Sequence, residues 1–169
     1  TFTVLALLGA PLRVTVPAGE LARTVLLLFL AVLLAEAVPE EVVFRGYVTT
    51  VLGTRWSGWA VIAVQTALFT LCGGLLRQDW NPVDLSLFAA MGVMFGYLRL
   101  ITGTVWLSIG FHAAFQTGAQ LVLSHDVVTF AGAPALALLG LGSIPFVVAA
   151  VLVAVTGAPR DRRGHRGGD

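Results

Sequence analysis

The sequence predicts an all-α fold, a polytopic transmembrane helical bundle, and three observations carry that expectation. The 169 residues are 57% hydrophobic and only 11% charged, against about 25% charged in ordinary soluble domains. Mean hydropathy is +0.91, so this chain could not assemble a water-facing surface and the bilayer is the fitting solvent. Apolar runs of near-spanning length recur along it, separated by short charged or Gly-rich breaks.

The elements follow in order. Residues 1–12 are apolar, begin with Thr1 and lack the basic start of a signal peptide. They read as the end of an earlier span, with further spans expected upstream. A hydrocarbon core takes roughly 20 apolar residues as helix. Residues 21–37 supply a first span, 58–76 a second, and 85–98 a shorter third bounded by Asp84 and Arg99. Residues 103–123 supply a fourth, in which His112 is the only ionisable group. Residues 127–158 are uncharged but contain Pro134 and Pro145, which suggests a loop and then a last span over 135–156. Residues 1–158 thus form one transmembrane domain. The Arg-rich tail, 159–169, is expected to be disordered and, by the positive-inside rule, cytoplasmic. Alternating back from it puts Arg55 and Arg99 inside and Arg77, Asp79 and Asp84 outside, in a multi-pass protein of the plasma membrane. Trp56, Trp59, Trp80 and Trp106 fall near span ends, as an interfacial aromatic belt does.

The net charge of +1 gives no footing for nucleic acid as a partner. A single cysteine, Cys72, rules out an intrachain disulfide. No Gly-rich phosphate loop, His-Glu-x-x-His helix or Cys-x-x-Cys pair is present.

Ionisable groups within spans are rare and mark either function or a paired structural site. Residues 38–52, between the first two spans, hold Glu40, Glu41 and Arg45. Pro39 suits the first turn of a helix, where the dipole also favours the two glutamates. Whether 38–52 continue the preceding span through a kink or form a separate segment stays open at this level. Glu41 and Arg45, at i and i+4, face each other as an ion pair, whereas Glu40 points about 100° away. One carboxylate is neutralised and the other is left to act as a base or to hold a proton, water or metal. The blander alternative is an ion network that only fixes helix packing.

In the fourth span Ser108, His112, Gln116 and Gln120 recur every four residues as a slowly turning polar stripe. His112 is then either an interhelical hydrogen-bonder or a catalytic group facing the carboxylates. Gly92 and Gly96 suggest a close helix contact, Arg99 an interfacial anchor, and Cys72 an inert core residue. His125 and His165 receive no role.

Taken together, these residues resemble the CAAX protease and bacteriocin-processing family, also called the ABI family, of intramembrane glutamate endopeptidases. The family's first motif, Glu-Glu-x-x-x-Arg, is matched by Glu40-Glu41-Val42-Val43-Phe44-Arg45, followed by Gly46 and Tyr47. The later stretch is matched by Gly92, Gly96-Tyr97-Leu98-Arg99, Thr102-Gly103-Thr104-Val105-Trp106 and His112-Ala113-Ala114-Phe115-Gln116. The resemblance runs over about 36–116. Two positions depart from it. The second motif, Phe-x-x-x-His, reads Phe69-Thr70-Leu71-Cys72 and then Gly73, and Gln116 stands where Asn is usual.

The resemblance implies hydrolysis of a peptide bond in a membrane-associated peptide or lipidated protein. Its site would be Glu40, Glu41, Arg45, His112 and Gln116. Glu40 would be the water-activating base, His112 and Gln116 the donors to the oxyanion, and Glu41 with Arg45 the orienting pair. No cofactor is predicted; Glu and His can ligate zinc, but the set is thinner without a histidine at 73. A catalytically impaired member, acting as a membrane scaffold or self-immunity protein, is the alternative that Gly73 raises. A proton- or cation-coupled transporter is a third class, although no paired broken helices of inverted symmetry are seen.

Overall fold

The chain runs through Pro39 as unbroken helix. The computed structural model describes residues 12–125, 127–130, 146 and 151, and in it helix α1 spans Ala18–Leu52. Residues 38–52 thus continue the preceding span. Pro39 is therefore an interior residue and not the start of a helix. An interior proline clashes with the carbonyl four residues back and removes a ladder hydrogen bond. Here the turn before it, Leu33–Ala37, is widened to π-helix, and the Val38 N–H donates to the Leu33 carbonyl. A second π-helical stretch, Val42–Val48, follows the single α turn Val38–Glu41. That turn carries both glutamates.

At 35 residues, α1 is about 50 Å long at 1.5 Å per residue, longer than a hydrocarbon core of about 30 Å. Its outer face exposes Leu26, Leu27, Leu30, Leu34, Val42 and Val43. Such a face is suited to lipid.

Three further helices turn up and down beside it. Helix α2, Trp59–Arg77, ends on Gln78 in the left-handed conformation. Helix α3, Pro82–Thr102, stops at Gly103, whose φ of +70° is open to glycine at no steric expense. Helix α4, Trp106–Leu123, returns along α1. Gly92 and Gly96 do form the close contact expected. A Cβ at Gly92 would lie 2.7 Å from Thr66 Cγ2, and one at Gly96 2.5 Å from Gln65 Nε2. Between α2, α3 and α4 lies an apolar core of Phe69, Met91, Met94, Phe95, Leu98 and Phe115.

Helices α1, α2 and the Asp84–Thr102 part of α3 are long and apolar enough to cross a membrane. Helix α4, expected as a fourth span, is helical over 18 residues. It is absent from that group because Ser108, His112, Gln116 and Gln120 dilute its apolarity, and its polar stripe turns inward. An antiparallel two-stranded sheet, β1 (Leu12–Val14) on β2 (Val128–Phe130), closes the end where α1 begins and α4 finishes. No periodicity in three-residue strands announces it. The four tryptophans are exposed at helix ends, as expected of a belt. The expected upstream span, the last span over 135–156 and the basic tail lie outside the described residues, Phe146 and Val151 apart.

Candidate active site

The polar interior is built from α1 outward. Arg45 Nη1 donates to Glu41 Oε1 at 3.0 Å, and both side chains are fully buried. A charge so placed must be paired and hydrogen-bonded. Arg45 is held further by the Met91 carbonyl, 3.4 Å from Nη2, and by the faces of Phe69 and Phe95. Its guanidinium carbon lies 4.3 and 5.1 Å from the two ring centroids, within cation–π range.

His112 arrives from α4 and touches both glutamates. Its Nδ1 lies 3.0 Å from Glu41 Oε1 and its Nε2 lies 3.9 Å from Glu40 Oε2. A carboxylate only accepts, so Nδ1–H donates to Glu41; in the neutral ring Nε2 is then an acceptor. The ring stacks on Phe95 with centroids 4.9 Å apart and planes 23° apart. Ser108, one turn earlier, donates to the Phe95 carbonyl at 3.2 Å and ties α4 to α3.

Glu40 behaves differently from its neighbour. Its side chain is 35% exposed, and the 100° offset along the helix keeps it off Arg45. The two carboxylates therefore stand in unlike surroundings, one committed to two donors and one open.

Four of the five expected site residues come together in this way. Gln116 lies one turn beyond His112, half-buried, with no hydrogen bond to Glu40, Glu41 or His112 among the described residues. Glu36 has no role assigned from the sequence, and Arg99 has a different one. Gln120 Nε2 donates to Glu36 Oε1 at 2.9 Å; the signal was present, since Glu36 precedes Glu40 by four residues and shares its face. Arg99, expected as an interfacial anchor, instead donates from Nε to the Arg45 carbonyl at 3.0 Å. No sequence signal identifies a side-chain-to-carbonyl bond between helices.

At Gly73 the space a side chain would need is taken. A Cβ there would meet the Phe88 ring at 2.8 Å from Cε1. That ring is itself held edge-on to Phe69, with centroids 5.8 Å apart, and lies beneath the Arg77 guanidinium. Among the described residues, no group of three or more His, Cys, Asp or Glu side chains is arranged to hold a metal ion. Glu41 Oε1 already accepts from both Arg45 and His112.

A family model described as type II CAAX prenyl endopeptidase Rce1-like matches residues 22–118, more than half of the chain. The chain belongs to this Rce1-like family. The match runs from the start of α1 into α4 and takes in Glu36, Glu40, Glu41, Arg45, Arg99, His112 and Gln116. No curated protein and no solved structure matches the chain. Membership of the Rce1-like family together with three apolar helices of spanning length makes this an integral membrane protein. A bilayer and a peptide substrate are what a CAAX-type membrane protease requires.

Proposed function

We propose that this protein is an intramembrane endopeptidase that hydrolyses a peptide bond of a membrane-associated protein or peptide, with Glu40 as the water-activating base. One observation carries the reading: His112 links a buried, arginine-held Glu41 to a half-open Glu40. Glu41 fixes the imidazole tautomer and direction, as a carboxylate behind a catalytic histidine must. Glu40 is the carboxylate left accessible to water and substrate.

In the proposed step, Glu40 takes a proton from water as its oxygen attacks the scissile carbonyl. The tetrahedral adduct then loses its C–N bond. The proton passes to the leaving amine, directly or through His112 Nε2, giving an amine and a carboxylic acid, whose remaining proton is released to water as the acid ionises. Once protonated, Nε2 becomes a donor and stabilises developing negative charge. Gln116 stands one turn away, with no hydrogen-bond partner for its amide among the described residues, and adds a second donor.

A prenylated CAAX-type peptide in proteoliposomes is the substrate to try first, beside its unprenylated form. Glu40→Gln keeps the shape of the side chain and removes the base, so cleavage is expected to vanish while the thermal midpoint stays put. Unchanged cleavage by this variant ends the reading.

A second reading has its own support. The Phe88 ring fills the place of the second-motif side chain, which favours an impaired member that binds a peptide without cutting it. Cleavage by the parent protein eliminates this reading, whereas cleavage gained only by a Gly73→His, Phe88→Ala double variant establishes it.

A further inference from the structure

Three consecutive carbonyls in the π-helical stretch Val42–Val48 are each met by a side chain. Thr49 Oγ1 donates to Phe44 at 2.8 Å, Arg99 Nε to Arg45 at 3.0 Å, and Thr50 Oγ1 to Gly46 at 2.6 Å. A π turn carries one residue more than an α turn and pairs each N–H with the carbonyl five back. The Thr49 N–H accordingly reaches the Phe44 carbonyl. The Thr49 N–H reaches the Gly46 carbonyl as well, so the side chains are second donors to carbonyls that have two lone pairs each to satisfy where water is scarce. Two donors are local threonines bonding back along their own helix. The third comes from α3, 54 residues further along the chain.

We infer that Arg99 is a positioning residue of the active site: its Nε holds the Arg45 carbonyl, and with it the π-helical register that keeps Arg45 on Glu41 and Glu41 on His112. Arg45 carries both ends of the connection. Its carbonyl faces Arg99, and its side chain faces Glu41. Losing the extra residue from the turn would rotate side chains on one side of it by about 100° against the other. The guanidinium is itself well placed, because α3 ends directly beyond it. The Gly103 N–H donates to the Arg99 carbonyl at 3.0 Å, and Thr102 Oγ1 to the Leu98 carbonyl at 2.7 Å.

This role separates from that of a charged anchor at the membrane surface by simple stereochemistry. Nε is bonded to Cδ, and so is the amide nitrogen of glutamine. Lysine puts a methylene at that place and its ammonium one bond further on. Arg99→Gln keeps a donor where the carbonyl needs it and loses the charge; Arg99→Lys does the reverse; Arg99→Met does neither.

The readout is the imidazole 15N spectrum of His112 in nanodisc-embedded protein whose other two histidines are replaced by glutamine. Arg99→Gln is expected to keep the parent spectrum, with Nδ1 protonated and bonded to Glu41. Arg99→Lys and Arg99→Met are expected to lose it. Turnover, which rests on the endopeptidase reading, follows the same order. Arg99→Met falls about a hundredfold in kcat, the effect of misplacing a reacting group by roughly 1 Å, and KM moves less. The inference is overturned if lysine preserves the spectrum and glutamine does not, if all three preserve it, or if all three lose it alike. The spectrum needs no substrate. A protein that cleaves nothing yet ranks the variants in this order defeats the enzyme reading alone.

Discussion

Glu40 and Glu41 are neighbours in the chain with opposite surroundings, and the difference decides what each can do. Glu41 has no exposure and two donors; it serves the architecture and aims His112. Removing its charge leaves Arg45 buried without a counter-ion, which destabilises by about 3–5 kcal/mol. Glu41→Gln should therefore lower the thermal midpoint in detergent sharply, whereas Glu40→Gln should leave it almost unmoved; equal shifts would contradict the division of labour. The pairing of Glu41 with Arg45 was legible in the sequence because a four-residue spacing puts two side chains on one helix face. The occupant of the space at Gly73 was not legible, since Phe88 arrives from another helix. Gly73→His overpacks against that ring and should destabilise by about 1–3 kcal/mol. Adding Phe88→Ala should recover most of the loss. A double-mutant cycle on the melting temperatures checks this coupling, and simple additivity would show that the two positions do not compete.

At the scale of the element, α1 departs from regular α-helix on both sides of the turn that bears the glutamates. In the sequence Pro39 suits a helix start, the commonest place for it, and a kinked continuation of the preceding span is equally open. The structure keeps it interior by widening the preceding turn. Hydropathy and spacing count residues along an ideal 3.6-residue helix, so a π turn is invisible to them. What was legible is the polar stripe of α4, because His112 and Gln120 do face α1 and Ser108 faces the neighbouring α3. The Gly92–Gly96 step was legible for the same reason, as a small-residue period on one face. Its partner was not. Gln65 lies there fully buried, with Nε2 2.7 Å from the Gly92 carbonyl. A methyl group at 96 would press on that amide, which its hydrogen bonds hold in place. Gly96→Ala should thus separate α2 from α3 and destabilise by about 1–3 kcal/mol, seen as a lower melting temperature. An unchanged midpoint would mean that the helices are free to slide.

For the whole molecule, composition alone indicated a membrane bundle, because so apolar a chain has no other solvent. Among the described residues, the helices and their order followed from apolar runs and charged breaks. The β1–β2 pairing that closes one end did not, as it joins residues more than a hundred apart with three-residue strands. Arg55 and Arg99 share one end of the bundle and Arg77 with Asp79 the other, and we propose that the first end is cytoplasmic. With Cys72 replaced by serine, Ser57→Cys should react with an impermeant maleimide only from the cytoplasmic side, and Asp79→Cys only from the opposite side. The reverse pattern would invert the topology. The assembled protein is also where the proposed chemistry must be judged, because Glu40 and His112 come together only between helices. The most direct measurement is single-turnover cleavage of a prenylated CAAX-type peptide in 18O-labelled water by the reconstituted protein. The account predicts one labelled oxygen in the new carboxylate on the first turnover, and no product from Glu40→Gln. An unlabelled first-turnover product, or cleavage by Glu40→Gln at the parent rate, would contradict it.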